Sequence, residues 1–137
     1  MNLIICMAGL NTRFHNAGFD LPKYLLPWNG KTIIYEILSH FNNLDKIILV
    51  ANKRDEFFKE EVLKALRELD FFEKIKFIHI PDTRGQAETV AVAISKLKDN
   101  SLPLLVHNAD TIVMGRDLNE IKQGFNKYNF YVDTFIS

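Results

Sequence analysis

The sequence is poor in cysteine and has no long run of apolar residues. Its single cysteine, Cys6, excludes an internal disulfide, and its place inside an apolar segment indicates a small buried side chain. No cysteines and histidines have the spacing of a zinc site. The N-terminus lacks the basic stretch, apolar core and cleavage site of a signal peptide, and no apolar run approaches the roughly 20 residues of a membrane helix. We therefore expect a cytoplasmic protein without a membrane partner.

An excess of charge of one sign is also absent, because 17 lysines and arginines are balanced by 17 aspartates and glutamates. The basic residues are spread among acidic ones, which argues against a nucleic-acid partner. Hydrophobic residues make up 47% of the chain and charged residues 25%, as is typical of a folded globular protein. A length of 137 residues suits one domain with a proper core.

Five short apolar segments rich in β-branched residues predict strands. They occupy residues 2–7, 46–51, 74–80, 103–107 and 130–136. The first, second and fourth are almost continuously apolar, which is typical of strands covered on both faces. Helical periodicity predicts helices over residues 32–41, 54–69, 86–97 and 117–128. This alternation predicts a three-layer α/β/α, Rossmann-like fold with a mainly parallel sheet, and the chain ends in or just after the fifth strand.

The loops that follow the strands are the expected place for function, because parallel sheets bind ligands beyond the carboxyl ends of their strands. The first such loop is unusually long. About 24 residues, Ala8 to Lys31, separate the first strand from its helix, against roughly 2–6 residues in an ordinary strand–helix connection. Its sequence lacks the spaced glycines of a dinucleotide fingerprint and the tight glycine-rich turn of a P-loop.

Two cations stand in this long loop, Arg13 and Lys23. An arginine binds phosphate oxygens in a bidentate manner and a lysine acts as a point charge. Gly9 allows the backbone to approach a ligand, and backbone N–H groups after a strand can cradle an anion. The alternative is a solvated loop with surface cations.

The second loop offers Gly85 and Gln86 directly before a predicted helix. The glutamine amide can pair with the edge of a nucleobase, and the glycine permits close approach. The alternative is a simple turn in which Asp82 or Thr83 caps the helix.

The third loop offers Asp110, just past the fourth predicted strand. A carboxylate there suits Mg²⁺, which takes few carboxylates together with phosphate oxygens and water. The alternative is a turn or a helix cap. We interpret His79 and His107, which lie in or at the end of strands, as structural residues. An arginine, a lysine, an amide and an aspartate at one sheet edge are the groups that phosphoryl or nucleotidyl transfer requires.

Three motifs in the right order resemble a known family. The stretch MAGLNTRF followed by LPKYLLPWNGKTIIYEIL, residues 7–14 and 21–38, resembles the opening of the nucleotidyltransferases with a GT-A-like Rossmann fold. These include sugar-1-phosphate nucleotidylyltransferases and phosphocholine cytidylyltransferase-like enzymes. RGQAET, residues 84–89, is similar to their base-recognising turn, and HNADT, residues 107–111, is similar to their strand-end Gly-Asp. Residues 1–137 would then be the nucleotide-binding part of a nucleotidyltransferase domain.

The resemblance implies roles for individual residues. Arg13 would hold the β- and γ-phosphates and help pyrophosphate leave, and Lys23 would steady the α-phosphate and the incoming phosphate. Gly85 and Gln86 would contact the base, and Asp110 would hold Mg²⁺. The turn that would wrap the nucleotide comprises Ala8, Gly9, Leu10, Asn11 and Thr12.

The implied reaction transfers NMP from an NTP to a sugar 1-phosphate or a small phosphorylated alcohol, releases pyrophosphate and serves surface (capsule) polysaccharide synthesis. Two departures stand out, since Asn11 and Ala109 occupy positions where the family usually has glycine.

Members of the family are also longer, and the part absent here supplies the acceptor pocket and a second metal-binding aspartate. The alternative is therefore a non-catalytic nucleotide-binding or assembly module. The unpaired apolar final strand would allow a homodimer.

Overall fold

The structure is a computed structural model that describes residues 1–9, 16–97, 101–127, 130 and 132. The strands in these residues are β1 (Asn2–Met7), β2 (Pro27–Trp28), β3 (Lys31–Thr32), β4 (Lys46–Asn52), β5 (Ile75–Ile80) and β6 (Leu104–Asn108). The α-helices are α1 (Ile33–Ser39), α2 (Lys59–Leu66), α3 (Gln86–Ser95) and α4 (Leu118–Gly124).

Four of the strands form one parallel sheet in the order β5-β4-β1-β6. The predicted first four strands are confirmed to within about one residue at each end. β1 and β4 are covered on both faces, as their continuous apolar sequences predict, and Ile4 and Leu49 are fully buried. β6 is different, because it forms an edge of the sheet among the described residues and Val106 remains 38% exposed. The prediction that β6 is covered on both faces is therefore wrong in the described part of the chain.

Helices pack against both faces of the sheet, which confirms the three-layer α/β/α, Rossmann-like fold. On one face, Leu3 and Ile5 of β1 pack in a core with α1, α2 and α4. On the other face, Ile4 of β1 packs in a second core with Ala93 of α3. The alternation of side chains along a strand sends neighbouring β1 residues to opposite cores. The predicted fifth strand, and any dimer formed through it, lies largely outside the described residues.

The helices begin later or end earlier than periodicity predicts. α1 begins after Thr32, whose Oγ1 accepts a hydrogen bond from the Tyr35 backbone N–H at 3.3 Å, as expected of an N-cap. The helix predicted over residues 54–69 is divided, because Lys53–Phe58 forms a 3₁₀ segment before α2. Asn52 Oδ1 accepts a hydrogen bond from the Arg54 backbone N–H at 3.0 Å, which caps the start of this 3₁₀ segment.

The long loop after β1 has structure that its sequence did not predict. Residues Lys23–Leu25 form one 3₁₀ turn, and β2 and β3 form a two-stranded antiparallel hairpin. Asn29 and Gly30 join them with φ values of 48° and 77°. Positive φ at both central residues is the backbone of a type I′ turn, for which Asn-Gly is the favoured pair. The hairpin leads directly into α1.

Candidate functional site

A cleft of about 380 Å³ opens at the carboxyl ends of β1 and β6, beside the N-terminus of α3. Its volume lies in the range of small-molecule sites. The described residues that line it are Cys6, Met7, Ala8, Gly9, Lys23, Thr83, Arg84, Gly85, Gln86, Thr89, Asn108, Ala109 and Asp110. The three loops chosen from the sequence therefore meet in one cavity, and the six predicted site residues that the structure describes all line it.

Lys23 and Asp110 form an ion pair in the cleft, with 2.5 Å between Lys23 Nζ and Asp110 Oδ2. Both side chains are partly open to solvent, with exposed fractions of 29% and 47%. Burial opposes ionisation of the Asp110 carboxyl, but the hydrogen bond and charge of Lys23 outweigh it and hold the pKa of Asp110 below its usual value. Thr111 Oγ1 also donates to Asp110 Oδ1 at 3.3 Å. The carboxylate is thus ionised and oriented at neutral pH.

Gln86 and Asn108 form a second polar pair across the cleft. Gln86 Nε2 donates to Asn108 Oδ1 at 2.7 Å, which links the first turn of α3 to the last residue of β6. Cys6 lies beside Gln86, and burial raises the pKa of its thiol to about 11 although a hydrogen bond with Gln86 opposes this. Cys6 is therefore a protonated thiol, but it is only partly buried and it lines the cleft, so the prediction of a buried side chain is wrong.

The N-terminus of α3 faces the cleft through Gly85 and Gln86. The proposed caps are not used: in the described residues, neither Asp82 nor Thr83 accepts a hydrogen bond from the first turn of α3. Asp82 accepts instead from Asn52 Nδ2 and Arg54 Nη2, each at 2.7 Å. The first-turn N–H groups of α3 thus receive no side-chain cap there and can meet a polar ligand.

Glycine leaves open space on the cleft walls. A Cβ placed on Gly9 or Gly85 would meet no atom of the described residues within 4 Å. The folded protein therefore does not need glycine at these positions to avoid a clash in the described part of the chain. The open space suits a ligand that approaches the backbone.

His107 has a structural role, as predicted. The side chain is buried, and its Nε2 lies 2.7 Å from the Thr111 carbonyl oxygen. Its ring also meets the Phe41 ring edge-on with 5.4 Å between centroids. The contact with Thr111 closes the turn that carries Asp110. His79 stacks on Phe77 within β5, which also agrees with a structural role.

Several cleft residues were not found from the sequence. Asn108 lies inside the motif that drew attention to Asp110, and its place at the end of a strand was an available signal. Arg84 precedes and Thr89 follows Gly85 and Gln86, the two residues of this segment that were predicted to contact the base. Among the predicted residues, the ones outside the described residues are Leu10, Asn11, Thr12 and Arg13.

The residues present fit a magnesium ion only together with a ligand. No group of three or more histidine, cysteine, aspartate or glutamate side chains suited to a metal occurs in the described residues. Asp110 is the only carboxylate in the described lining of the cleft. Mg²⁺ characteristically binds through one or two carboxylates plus substrate phosphates and water. Asp110 therefore suits a metal that arrives with a phosphate ligand.

Residues 2–136 match the nucleotidyl transferase family, and the chain belongs to that family. It is 33% identical over 113 residues to the bifunctional protein GlmU of Methanococcus maripaludis strain C5. It is 32% identical over 116 residues to GlmU of Methanococcus vannielii. Each match covers 82% of this chain and 25% of the relative, so the chain spans about a quarter of the length of these curated relatives.

Solved structures share the fold. The chain matches HddC from Yersinia pseudotuberculosis with a TM-score of 0.72 and 20% identity, covering 91% of this chain and 54% of that one. It matches a nucleoside-diphosphate-sugar pyrophosphorylase from Vibrio cholerae with a TM-score of 0.64 and 24% identity, covering 90% and 52%. It matches a UDP-glucose pyrophosphorylase complexed with UDP-glucose with a TM-score of 0.69 and 19% identity, covering 93% of this chain and 54% of that one. In the described part of this chain, no helix is long and apolar enough to cross a membrane.

Proposed function

We propose that the cleft binds a nucleoside triphosphate together with Mg²⁺. The observation that carries this proposal is the Lys23–Asp110 pair at 2.5 Å, which puts a cation for phosphate and a carboxylate for a metal at one point of the cleft. The first turn of α3, without a side-chain cap in the described residues, adds N–H donors beside them. The neighbouring amide of Gln86 offers both a donor and an acceptor to a base.

We further propose that the protein transfers a nucleoside monophosphate to a phosphorylated acceptor. A phosphate oxygen of the acceptor attacks the α-phosphorus in line, a new P–O bond forms, and the bond to the β-phosphate oxygen breaks. Pyrophosphate leaves with the electron pair of that bond. No protein nucleophile is needed, because such a reaction depends on positioning and charge neutralisation.

In this proposal each of the main site residues has its own role. Lys23 offsets the charge of the α-phosphate and of the incoming acceptor phosphate, and Arg13 offsets the charge of the departing pyrophosphate. Gln86 and Gly85 hold the base. Asp110 would hold Mg²⁺, which supplies charge neutralisation to the phosphate oxygens when bound.

The acceptor is proposed from the resemblance and from the names of the structural neighbours. Nucleoside-diphosphate-sugar and UDP-glucose pyrophosphorylases are among them, and HddC has been solved complexed with GMP-PN. These names support a sugar 1-phosphate as acceptor, with a small phosphorylated alcohol as the other candidate and surface polysaccharide as the destination of the product.

Calorimetric titration with ATP, CTP, GTP and UTP, each with and without Mg²⁺, tests the binding step. We expect saturable binding of at least one triphosphate and a large gain in affinity with Mg²⁺. Binding of none of the four would refute the proposal.

Pyrophosphate release with a panel of sugar 1-phosphates and phospho-alcohols then tests turnover. The second candidate function, a nucleotide-binding module without catalysis, is favoured by the single carboxylate in the described cleft lining. Triphosphate binding without pyrophosphate release from any acceptor would select that candidate. Arg13→Ala separates the two further, since it should slow pyrophosphate release more than it weakens binding.

A further inference from the structure

Asp82 lies in the loop between β5 and α3, and its side chain is held at the end of the neighbouring strand β4. Its Oδ1 accepts hydrogen bonds from Asn52 Nδ2 and from Arg54 Nη2, each at 2.7 Å. Asn52 is the last residue of β4, is buried, and pairs with Ile80 in the parallel register. Its Oδ1 accepts from the Arg54 backbone N–H at 3.0 Å, so both ends of its amide are bonded. We refer to Asn52, Arg54 and Asp82 as the Asp82 clamp.

The clamp lies where the loop crosses the sheet. Residues 81–85 lead from the end of β5 to the first turn of α3. In that turn Gln86 Nε2 donates at 2.7 Å to Asn108 Oδ1, and Asn108 is the last residue of β6. The strand order β5-β4-β1-β6 puts β5 and β6 at opposite edges of the described sheet. The loop therefore passes the end of β4, where Asp82 is held, before it reaches the cleft.

The part of the loop that follows Asp82 is bonded to α3 itself. Thr83 Oγ1 lies 2.7 Å from Thr89 Oγ1, and Thr89 is buried. The Arg84 backbone N–H donates to Glu88 Oε2 at 2.6 Å. Residues 83 and 84 thus form one unit with the first turn of α3, and Asp82 joins this unit to the end of β4. The position of Asp82 is therefore passed on to the residues of α3 that face the cleft.

We propose that the Asp82 clamp is a positioning element that sets where Gly85 and Gln86 lie in the cleft and thereby how strictly the protein selects its base. Asn52, Arg54 and Asp82 are not in the described lining of the cleft, so they act through Gln86. The inference rests on the proposed function where it concerns the base, but the position of Gln86 can be measured without any nucleotide.

The first experiment uses NMR to measure how fast the Gln86 side-chain amide protons exchange with water in the nucleotide-free 137-residue chain. Asp82→Ala removes the acceptor of the clamp. We expect the Gln86 amide to exchange about 3- to 10-fold faster in this variant, the effect of losing one net hydrogen bond, because its bond to Asn108 joins the loop to β6. Asp82→Asn keeps an acceptor oxygen and should stay within about twofold of wild type, since exposed ion pairs gain little from charge alone.

The Thr89 backbone N–H is the internal control, because it donates to the Gly85 carbonyl at 3.1 Å inside the unit formed by the loop and α3. Its exchange rate should not change when the unit shifts as a whole, whereas a general loosening would raise both rates. Asp70→Ala, which removes an exposed carboxylate between α2 and β5, is the matched control variant. Unchanged Gln86 exchange in Asp82→Ala, or equal increases at Gln86 and Thr89, would overturn the inference.

Arg54→Met gives a second route to the same comparison if Asp82→Ala fails to fold. It removes one of the two donors to Asp82 and leaves the Asn52 bond in place. The Gln86 amide should then exchange faster than in wild type, by a smaller factor than in Asp82→Ala. No change in this variant, with Asp82→Ala unfolded, would likewise overturn the inference.

The second experiment titrates ATP, CTP, GTP and UTP in the presence of Mg²⁺. Asp82→Ala should reduce the affinity advantage of the preferred triphosphate over the other three about 3- to 10-fold, and should reduce it no further in a Gln86→Ala background. The gain in affinity that Mg²⁺ provides should stay within twofold of wild type. Equal losses for all four triphosphates would mean that the clamp only stabilises the fold. If the wild-type chain binds no triphosphate, the proposed function fails, while exchange of the Gln86 amide still decides whether the clamp positions the loop.

Discussion

Lys23 Nζ lies 2.5 Å from Asp110 Oδ2 although 87 positions separate the two residues in the chain. The pair forms because the loop after β1 and the turn after β6 end at the same edge of a parallel sheet. A metal ion and the Lys23 ammonium would compete for the same carboxylate. In the proposed function a triphosphate would resolve this competition, since its oxygens would accept hydrogen bonds from the ammonium while Asp110 turns to the metal.

The first prediction follows from this exchange of partners. In the Asp110→Ala variant, the gain in triphosphate affinity that Mg²⁺ provides should be at least tenfold smaller than in wild type. In metal-free buffer the same variant should bind triphosphate at least as tightly as wild type, because Lys23 no longer has a protein carboxylate as partner. Isothermal titration with and without Mg²⁺ measures both effects. Glu73→Gln, which removes a carboxylate just before β5 at the far edge of the sheet, is the matched control, and unchanged magnesium dependence in Asp110→Ala would contradict the assignment.

The second prediction concerns Cys6 and pH. Burial raises the pKa of the thiol from 9.0 to about 11, so the thiolate fraction at pH 8 falls about 100-fold. Alkylation by iodoacetamide at pH 8 should be slower by a similar factor than in the denatured chain, because the thiolate is the nucleophile.

The sign for stability follows from the same shift. The folded state holds the Cys6 thiol proton more tightly than the unfolded state does. The contribution of Cys6 to the free energy of unfolding is therefore present at neutral pH and is lost as pH rises from about 9 to 11. Because Cys6 lines the cleft, a bound triphosphate should slow alkylation further. If Cys6 is alkylated rapidly at pH 8 and a bound triphosphate does not slow the reaction, the thiol lies outside the nucleotide site.

The third prediction separates recognition of the base from recognition of phosphate. Gln86→Ala should lower affinity for the preferred triphosphate about tenfold and reduce its advantage over the other three, since a base edge would lose its amide partner. Asn108→Ala should have a smaller effect in the same direction, because Asn108 holds the Gln86 amide at 2.7 Å. Gln123→Ala, on the exposed side of α4, is the control. A uniform loss for all four triphosphates would exclude Gln86 from reading the base.

Local patterns predicted those parts of the fold that local physics decides. β1 and β4 were found because buried parallel strands are continuously apolar, and α1 was found because Thr32 is a good N-cap at the start of an apolar stripe. The cleft was found because chemically useful residues follow β1, β5 and β6, and parallel strands place such loops at one edge.

The parts that were missed depend on contacts between distant positions or on very short elements. The β2–β3 hairpin has two residues in each strand, which is too short for any periodicity to register. The Asn52–Asp82 hydrogen bond joins two side chains that are 30 positions apart in the chain, and it takes Asp82 away from the helix cap considered for it. The predicted second helix is divided by a 3₁₀ segment over Lys53–Phe58, and the helical periodicity of residues 54–69 does not mark that break.

The last prediction concerns the helix that follows the Asp110 turn. Asp117 Oδ1 accepts from the backbone N–H groups of Asn119 at 2.8 Å and Glu120 at 3.1 Å, so it caps α4. Asp117→Ala should lower the free energy of unfolding by about 1 kcal/mol. The midpoint of thermal unfolding should then fall by about 4 °C.

Urea unfolding and calorimetry measure these two changes, and Asp117→Asn, which keeps an acceptor oxygen, is the matched control. Because Asp117 lies outside the described cleft lining, triphosphate affinity should stay within twofold of wild type in both variants. A large loss of triphosphate affinity in Asp117→Ala, with wild-type affinity in Asp117→Asn, would contradict this expectation. In that case α4 itself, through the turn that begins at Asp110, would determine where the carboxylate meets its ligand.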